Sequence, residues 1–138
     1  MAPDATSLVR KLKLAPTTRP IVLEAADGFR QTLAGNLGRP VGGTIDGRHD
    51  WILLFARDRA ALEDSIRAAA AALDDPGILW LAYPKGSSKI QTDLTRDAGW
   101  ESVAAADLMW LGLVSIDETW SAFSLRRYRP GEARQTFR

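Results

Sequence analysis

The run Gly77-Ile78-Leu79-Trp80-Leu81-Ala82-Tyr83-Pro84-Lys85 constrains this chain more than any other stretch. Residues 78–83 are apolar at every position, the pattern of a strand covered on both faces and so of a central strand in a layered fold. Pro84 lacks the N–H that a ladder needs and ends the strand. Lys85, Ser87, Ser88 and Lys89 then fall at its carboxyl end, and Thr92 stands as the cap of a helix expected from Asp93 to about Asp107. Open α/β sheets hold ligands at that edge. Lys85, Ser87, Ser88, Lys89 and Thr92 are therefore the candidate ligand-binding residues, with two readings open: an anion-binding loop, or a solvated loop in which Thr92 only caps a helix.

The elements around this strand follow from periodicity. Leu62, Ile66, Ala69, Ala70 and Leu73 recur at helical spacing behind Asp58 as cap, while Arg59, Glu63, Asp64 and Arg67 cover the outer side. Residues 50–55 form a second doubly buried strand before that helix, which completes a β-α-β unit with parallel strands and a right-handed crossover. Upstream lie a short amphipathic helix over 7–14, a strand over 21–25 and a short helix over 29–37. A weak strand over 41–45 follows, whose Gly42 and Gly43 leave little side chain to pack. Downstream, residues 110–116 and 120–128 read as strands, and the three-residue link Asp117-Glu118-Thr119 forces them into an antiparallel hairpin. The sum is one α/β domain over residues 1–138: a three-layer Rossmann-like sheet, mostly parallel, with a C-terminal antiparallel hairpin and a tail that frays from Pro130.

Composition narrows the function classes. A chain of 138 residues that is 46% hydrophobic and 25% charged matches an ordinary globular domain, not a disordered one. Its apolar runs fall short of the roughly 20 residues that cross a bilayer, and the polar start lacks the apolar core of a signal peptide, so no membrane association and a cytoplasmic location are expected. Without cysteine and with one histidine, thiolate chemistry and Cys- or His-rich metal sites are excluded; a carboxylate site for Mg²⁺ or Ca²⁺ stays open. A net charge of +1 gives no push toward nucleic acid, although Arg10, Lys11, Lys13 and Arg19 gather near one end and Arg126, Arg127, Arg129, Arg134 and Arg138 at the other. The edge hairpin opens a route to a homodimer by strand pairing, opposed by the charges of Arg126 and Arg127.

The element order resembles an abbreviated methyltransferase-type Rossmann sheet, with residues 21–25 as first strand, 50–55 and 78–83 as the central pair and the hairpin as the reversed terminal strands. That resemblance implies a glycine-bearing turn after the first strand, here Glu24-Ala25-Ala26-Asp27-Gly28-Phe29 with a single glycine, and an acid after the second, here Asp46. It marks Asp27, Gly28 and Asp50 as candidate cofactor-binding residues, with the cofactor's identity open. The pieces Leu79-Trp80-Leu81-Ala82-Tyr83-Pro84-Lys85, Thr92-Asp93-Leu94-Thr95 and Asp117-Glu118-Thr119-Trp120-Ser121 also resemble a small bacterial family that carries only a domain-of-unknown-function label. This likeness implies the fold and a single domain, and no activity.

Two functional expectations result. The first is a non-enzymatic or vestigial Rossmann-like module that binds a small anionic ligand or a protein partner through the loop after the central strand. The alternative is a group-transfer enzyme of methyltransferase ancestry with a degenerate cofactor turn. Glu24, Asp27 and Asp50 offer carboxylates for acid/base work or for turns and caps. His49 is expected in an exposed turn without a partner. Trp51 and Trp80 are expected in the core, and Trp110 and Trp120 either there or on a partner surface.

Overall fold

Among the described residues the apolar runs fold into five strands: β1 (Pro20–Leu23), β2 (His49–Phe55), β3 (Leu73–Pro84), β4 (Leu108–Ser115) and β5 (Trp120–Arg127). Among the described residues four helices accompany them: α1 (Ala5–Lys11), α2 (Phe29–Leu37), α3 (Arg59–Ala72) and α4 (Glu101–Ala105). The computed structural model describes residues 5–14, 16–25, 28–86, 90, 92–95 and 98–133, with side chains from residue 8 onward. The strands form one sheet in the order β1-β2-β3-β5-β4.

Period-two alternation sorts the side chains of the central strands to two faces. Ile52, Leu54, Leu79 and Leu81 pack with Leu62, Ile66 and Val103 of α3 and α4. Trp51, Leu53, Phe55, Trp80 and Ala82 pack with Leu8, Leu12 and Leu33 from the α1–α2 side. The result is the expected three layers, and the doubly apolar reading of β2 and β3 holds at the level of single residues. The indole N–H groups of Trp51 and Trp80 both donate to the carbonyl of Leu12, at 2.7 and 2.9 Å, and so fasten the end of α1 to the sheet. On the other face the Arg127 guanidinium donates to the carbonyls of Ala70 and Leu73, at 2.6 and 2.8 Å, and closes the carboxyl end of α3.

Three expectations change. The sheet is mixed rather than mostly parallel: β1–β2 and β2–β3 are parallel ladders, whereas β3–β5 and β4–β5 are antiparallel. The hairpin itself fits, but its second strand takes the inner place. Trp120, Ala122, Ser124 and Leu125 of β5 are buried, while Leu111, Gly112 and Leu113 of β4 are exposed, so β5 is the strand suited to pair on both sides. The weak strand over 41–45 shrinks to one bridge between Gly42 and Ile21. A Cβ at position 42 would lie 2.9 Å from Ile21 Cγ2, so only glycine allows this approach. The helix expected from Asp93 begins at Glu101 instead and is five residues long. No helix among the described residues is long and apolar enough to cross a membrane.

Candidate functional site

The carboxyl ends of β1, β2 and β3 lie side by side, because the three strands run parallel. After β1 the chain passes Glu24, which has φ of 56°, and enters α2 through Gly28, which has φ of 77°. Gly28 occupies the cap position with no side-chain hydrogen bond, so the first-turn amides of α2 carry no side-chain acceptor from it. After β2, Asp58 caps α3 by accepting from the Ala61 N–H at 2.9 Å. After β3 the Lys85 N–H donates to the Thr119 carbonyl at 2.7 Å, and the Lys85 ammonium donates to Ser115 Oγ at 2.6 Å. Lys11 of the α1 layer donates to the Ser115 carbonyl at 3.0 Å, which places two ammonium groups on one residue at the end of β4.

Of the ligand-binding residues expected from the sequence, Lys85 and Thr92 are described; Ser87, Ser88 and Lys89 lie outside the described residues. Lys85 is turned to the hairpin. Thr92 Oγ1 accepts from the Leu94 N–H at 3.0 Å and closes a turn rather than capping a helix. Asp93 reaches across to α3 and accepts from the Arg59 N–H at 2.7 Å. Arg96 and Asp97 lie outside the described residues.

The expected cofactor residues are not brought together. Gly28 stands at the carboxyl edge, Asp27 lies outside the described residues, and Asp50 is at the opposite, amino edge, near the start of β2. Its carboxylate accepts from the N–H groups of Thr18 and Arg19, at 2.7 and 2.9 Å, and from Thr18 Oγ1 at 3.1 Å. Burial pushes this carboxyl up, and the hydrogen bonds together outweigh burial and hold it below the usual aspartate value. Asp46 lies there too. After the Gly42 bridge the chain doubles back, and Arg19 binds the carbonyls of Asp46 and Arg48. Here the sequence reading of His49 needs correction, because the ring is buried, with 3% exposure. Its Nε2 accepts from the Asp46 N–H and its Nδ1 donates to the Arg19 carbonyl, both at 2.9 Å. These bonds need the Nδ1–H tautomer and make His49 a strut of the amino edge. No local pattern could have found it, since its partners come from a turn that folds back on Arg19. Among the described residues no group of three or more His, Cys, Asp or Glu side chains is arranged to hold a metal ion.

The architecture places this chain among α/β proteins similar in fold to S-adenosylmethionine-dependent methyltransferases. It superimposes on one such enzyme from Clostridium acetobutylicum with a TM-score of 0.61 and 8% identity, over 89% of this chain and 90% of that one. A ribosomal-protein methylase from Lactobacillus delbrueckii gives 0.54 and 12%, over 90% and 77%. The CcbJ methyltransferase from Streptomyces caelestis gives 0.53 and 10%, over 90% and 94%. At these identities the likeness is one of fold. No family model and no curated protein matches the sequence, so the likeness to the small bacterial family rests on its motifs alone.

The enzyme from Clostridium acetobutylicum is S-adenosylmethionine-dependent, and the described residues of this chain carry only part of a turn suited to such a cofactor. Gly28 supplies a left-handed turn at the start of α2, as a cofactor turn requires. Asp46 lies instead at the amino edge, where its carbonyl accepts from Arg19 and its N–H donates to His49, and the Asp50 carboxylate is engaged there by Thr18 and Arg19, so among the described residues neither of these acids stands beside Gly28. Glu24 is the described carboxylate that follows β1. Of such a turn the described residues present Gly28 and Glu24, without a second acid beside them.

Proposed function

We propose that this chain is a domain of group-transfer ancestry whose ligand site is the carboxyl edge around Gly28, with a cofactor turn reduced to one glycine and Glu24 as the nearby carboxylate. The observation that carries the reading is Gly28 itself: a left-handed glycine after β1, opening α2 without a side-chain cap, in a sheet that matches methyltransferases over nine-tenths of the chain. The second reading is a module without chemistry, which holds a small anionic ligand or a protein partner through the loop after β3. It draws on the place of Asp46 at the amino edge and on the engagement of the Asp50 carboxylate there.

A thermal-shift titration with S-adenosylhomocysteine, AMP and inorganic phosphate separates the two. A ligand at tenfold excess over Kd adds about 1.4 kcal/mol, which raises the melting temperature by a few degrees. The first reading expects a shift with S-adenosylhomocysteine that is lost in Gly28→Val and kept in Lys85→Ala. A shift with phosphate that is lost in Lys85→Ala selects the second. Absence of any shift at about 1 mM ligand overturns the group-transfer reading.

A further inference from the structure

We infer that Lys11, Lys85 and Ser115 form a binding site for a dianionic phosphate group at the carboxyl edge of the sheet. The inference rests on the second reading above in placing an anion after β3; it names that anion and adds the α1 and β4 residues that hold it. β5 runs antiparallel to both β3 and β4, so β4 is parallel to β3 and ends at the same edge. Ser121 of β5 lies opposite Tyr83 on one side and Ser115 on the other. Lys85, just past the end of β3, therefore reaches across one strand to give its ammonium to Ser115 Oγ at 2.6 Å. Lys11, in the last turn of α1, gives its own to the Ser115 carbonyl at 3.0 Å. Two positive charges from separate elements thus meet on one exposed serine.

Neither bond neutralises its charge, since one acceptor is a hydroxyl and the other a carbonyl. Among the described residues the ion pairs are made by arginines, and neither lysine lies within ion-pair distance of a carboxylate. The acids of the hairpin turn do not fill that place. Asp117 Oδ1 accepts from the Thr119 and Trp120 N–H groups, both at 2.8 Å, and Glu118 is exposed beyond it without an ion pair to either lysine. Like charges gathered on one residue repel, and an anion between them turns that repulsion into attraction. A phosphate group suits the place better than a carboxylate. It carries close to two charges and three acceptor oxygens, enough for both ammonium groups and the Ser115 hydroxyl. That hydroxyl donates to the Asp117 carbonyl at 3.3 Å and needs only to rotate to donate to the anion instead.

Titration with inorganic phosphate, followed by amide NMR at constant ionic strength, tests this. The expected result is saturable shifts at Lys11, Lys85 and Ser115 with a Kd on the order of 1 mM, raised about fivefold by Lys11→Gln and likewise by Lys85→Gln. Each glutamine keeps a donor for Ser115 and loses only the charge, so the fold is retained. Arg67→Gln, on the exposed side of α3, leaves Kd unchanged. Acetate, with one charge, binds roughly fivefold more weakly than phosphate. Phenyl phosphate that binds more tightly than the free ion marks an ester as the ligand, and equal binding marks the free ion; both carry the phosphate group assigned. A Kd raised by Lys85→Gln and untouched by Lys11→Gln overturns the inference and leaves the second reading standing. Equal affinity for acetate also overturns it. So do shifts that stay linear to about 20 mM phosphate, the mark of an adventitious ion only, and they leave the second reading with its protein partner alone.

Discussion

The carbonyl oxygen of Leu12 accepts from two indoles that arrive from neighbouring strands, and it has a lone pair for each. Trp51→Phe or Trp80→Phe removes one donor and leaves the carbonyl satisfied, so each variant is expected to lose about 1 kcal/mol of hydrogen bonding besides its packing loss. The double variant strands a buried acceptor and adds a further penalty of roughly 1–3 kcal/mol. Urea denaturation of the four proteins in a double-mutant cycle gives this coupling directly, and strictly additive losses would mean that the shared carbonyl is not what joins α1 to the sheet. The burial of both tryptophans was legible from their place in apolar runs. Their common acceptor was not, because Leu12 lies 39 and 68 residues away in sequence. His49 failed for the same reason, as Asp-Gly-Arg-His reads locally as an exposed turn while the fold lays it against Arg19.

Among the elements, α3 shows what capping chemistry can and cannot reveal. Asp58 at its start is a legible cap and acts as one. Asp93 looked like the start of a helix of its own, yet its carboxylate satisfies the Arg59 N–H, a second orphan donor of α3. Asp58→Ala and Asp93→Ala are each expected to cost about 1 kcal/mol, measured as a lower urea midpoint at unchanged slope. An Asp93→Ala variant as stable as the wild type would show that water replaces this longer-range cap. The helix expected from Asp93 cannot run through Gly99, which has φ of +100°, and a Cβ there would meet Leu94 Cδ2 at 2.7 Å. Gly99→Ala therefore faces both strain and a clash, and a loss of about 1–3 kcal/mol is expected by the same denaturation. Sequence periodicity marks Gly99 only as a weak helix residue; the left-handed corner that places Trp100 against Tyr83 is a tertiary demand.

For the whole molecule, the layer order was legible because runs apolar at every position have to be covered on both sides. The division of the sheet's two edges was not. Whether an acid serves the carboxyl or the amino edge depends on where the chain reverses after Gly42, and that reversal sets Asp46 at the amino edge, where the Asp50 carboxylate does structural work. A stability profile against pH is where such work becomes visible. Asp50 titrates below the ordinary aspartate value because its hydrogen bonds outweigh burial, and Glu132 is lowered from 4.5 to about 2, chiefly by its hydrogen bonds from Arg126. Both carboxyls are depressed in the folded state, so the unfolded chain binds protons first as the pH falls. Their contributions are complete above the unfolded values and are lost on acidification, for Glu132 between about 4.5 and about 2. Glu132→Gln and Asp50→Asn are thus expected to have lower denaturation midpoints than the wild type at neutral pH and to approach it on acidification, Glu132→Gln toward pH 2, where the wild-type Glu132 is also becoming protonated. A gap that stays constant down to that pH would assign the loss to packing, and would leave the acid sensitivity of the fold to other carboxylates.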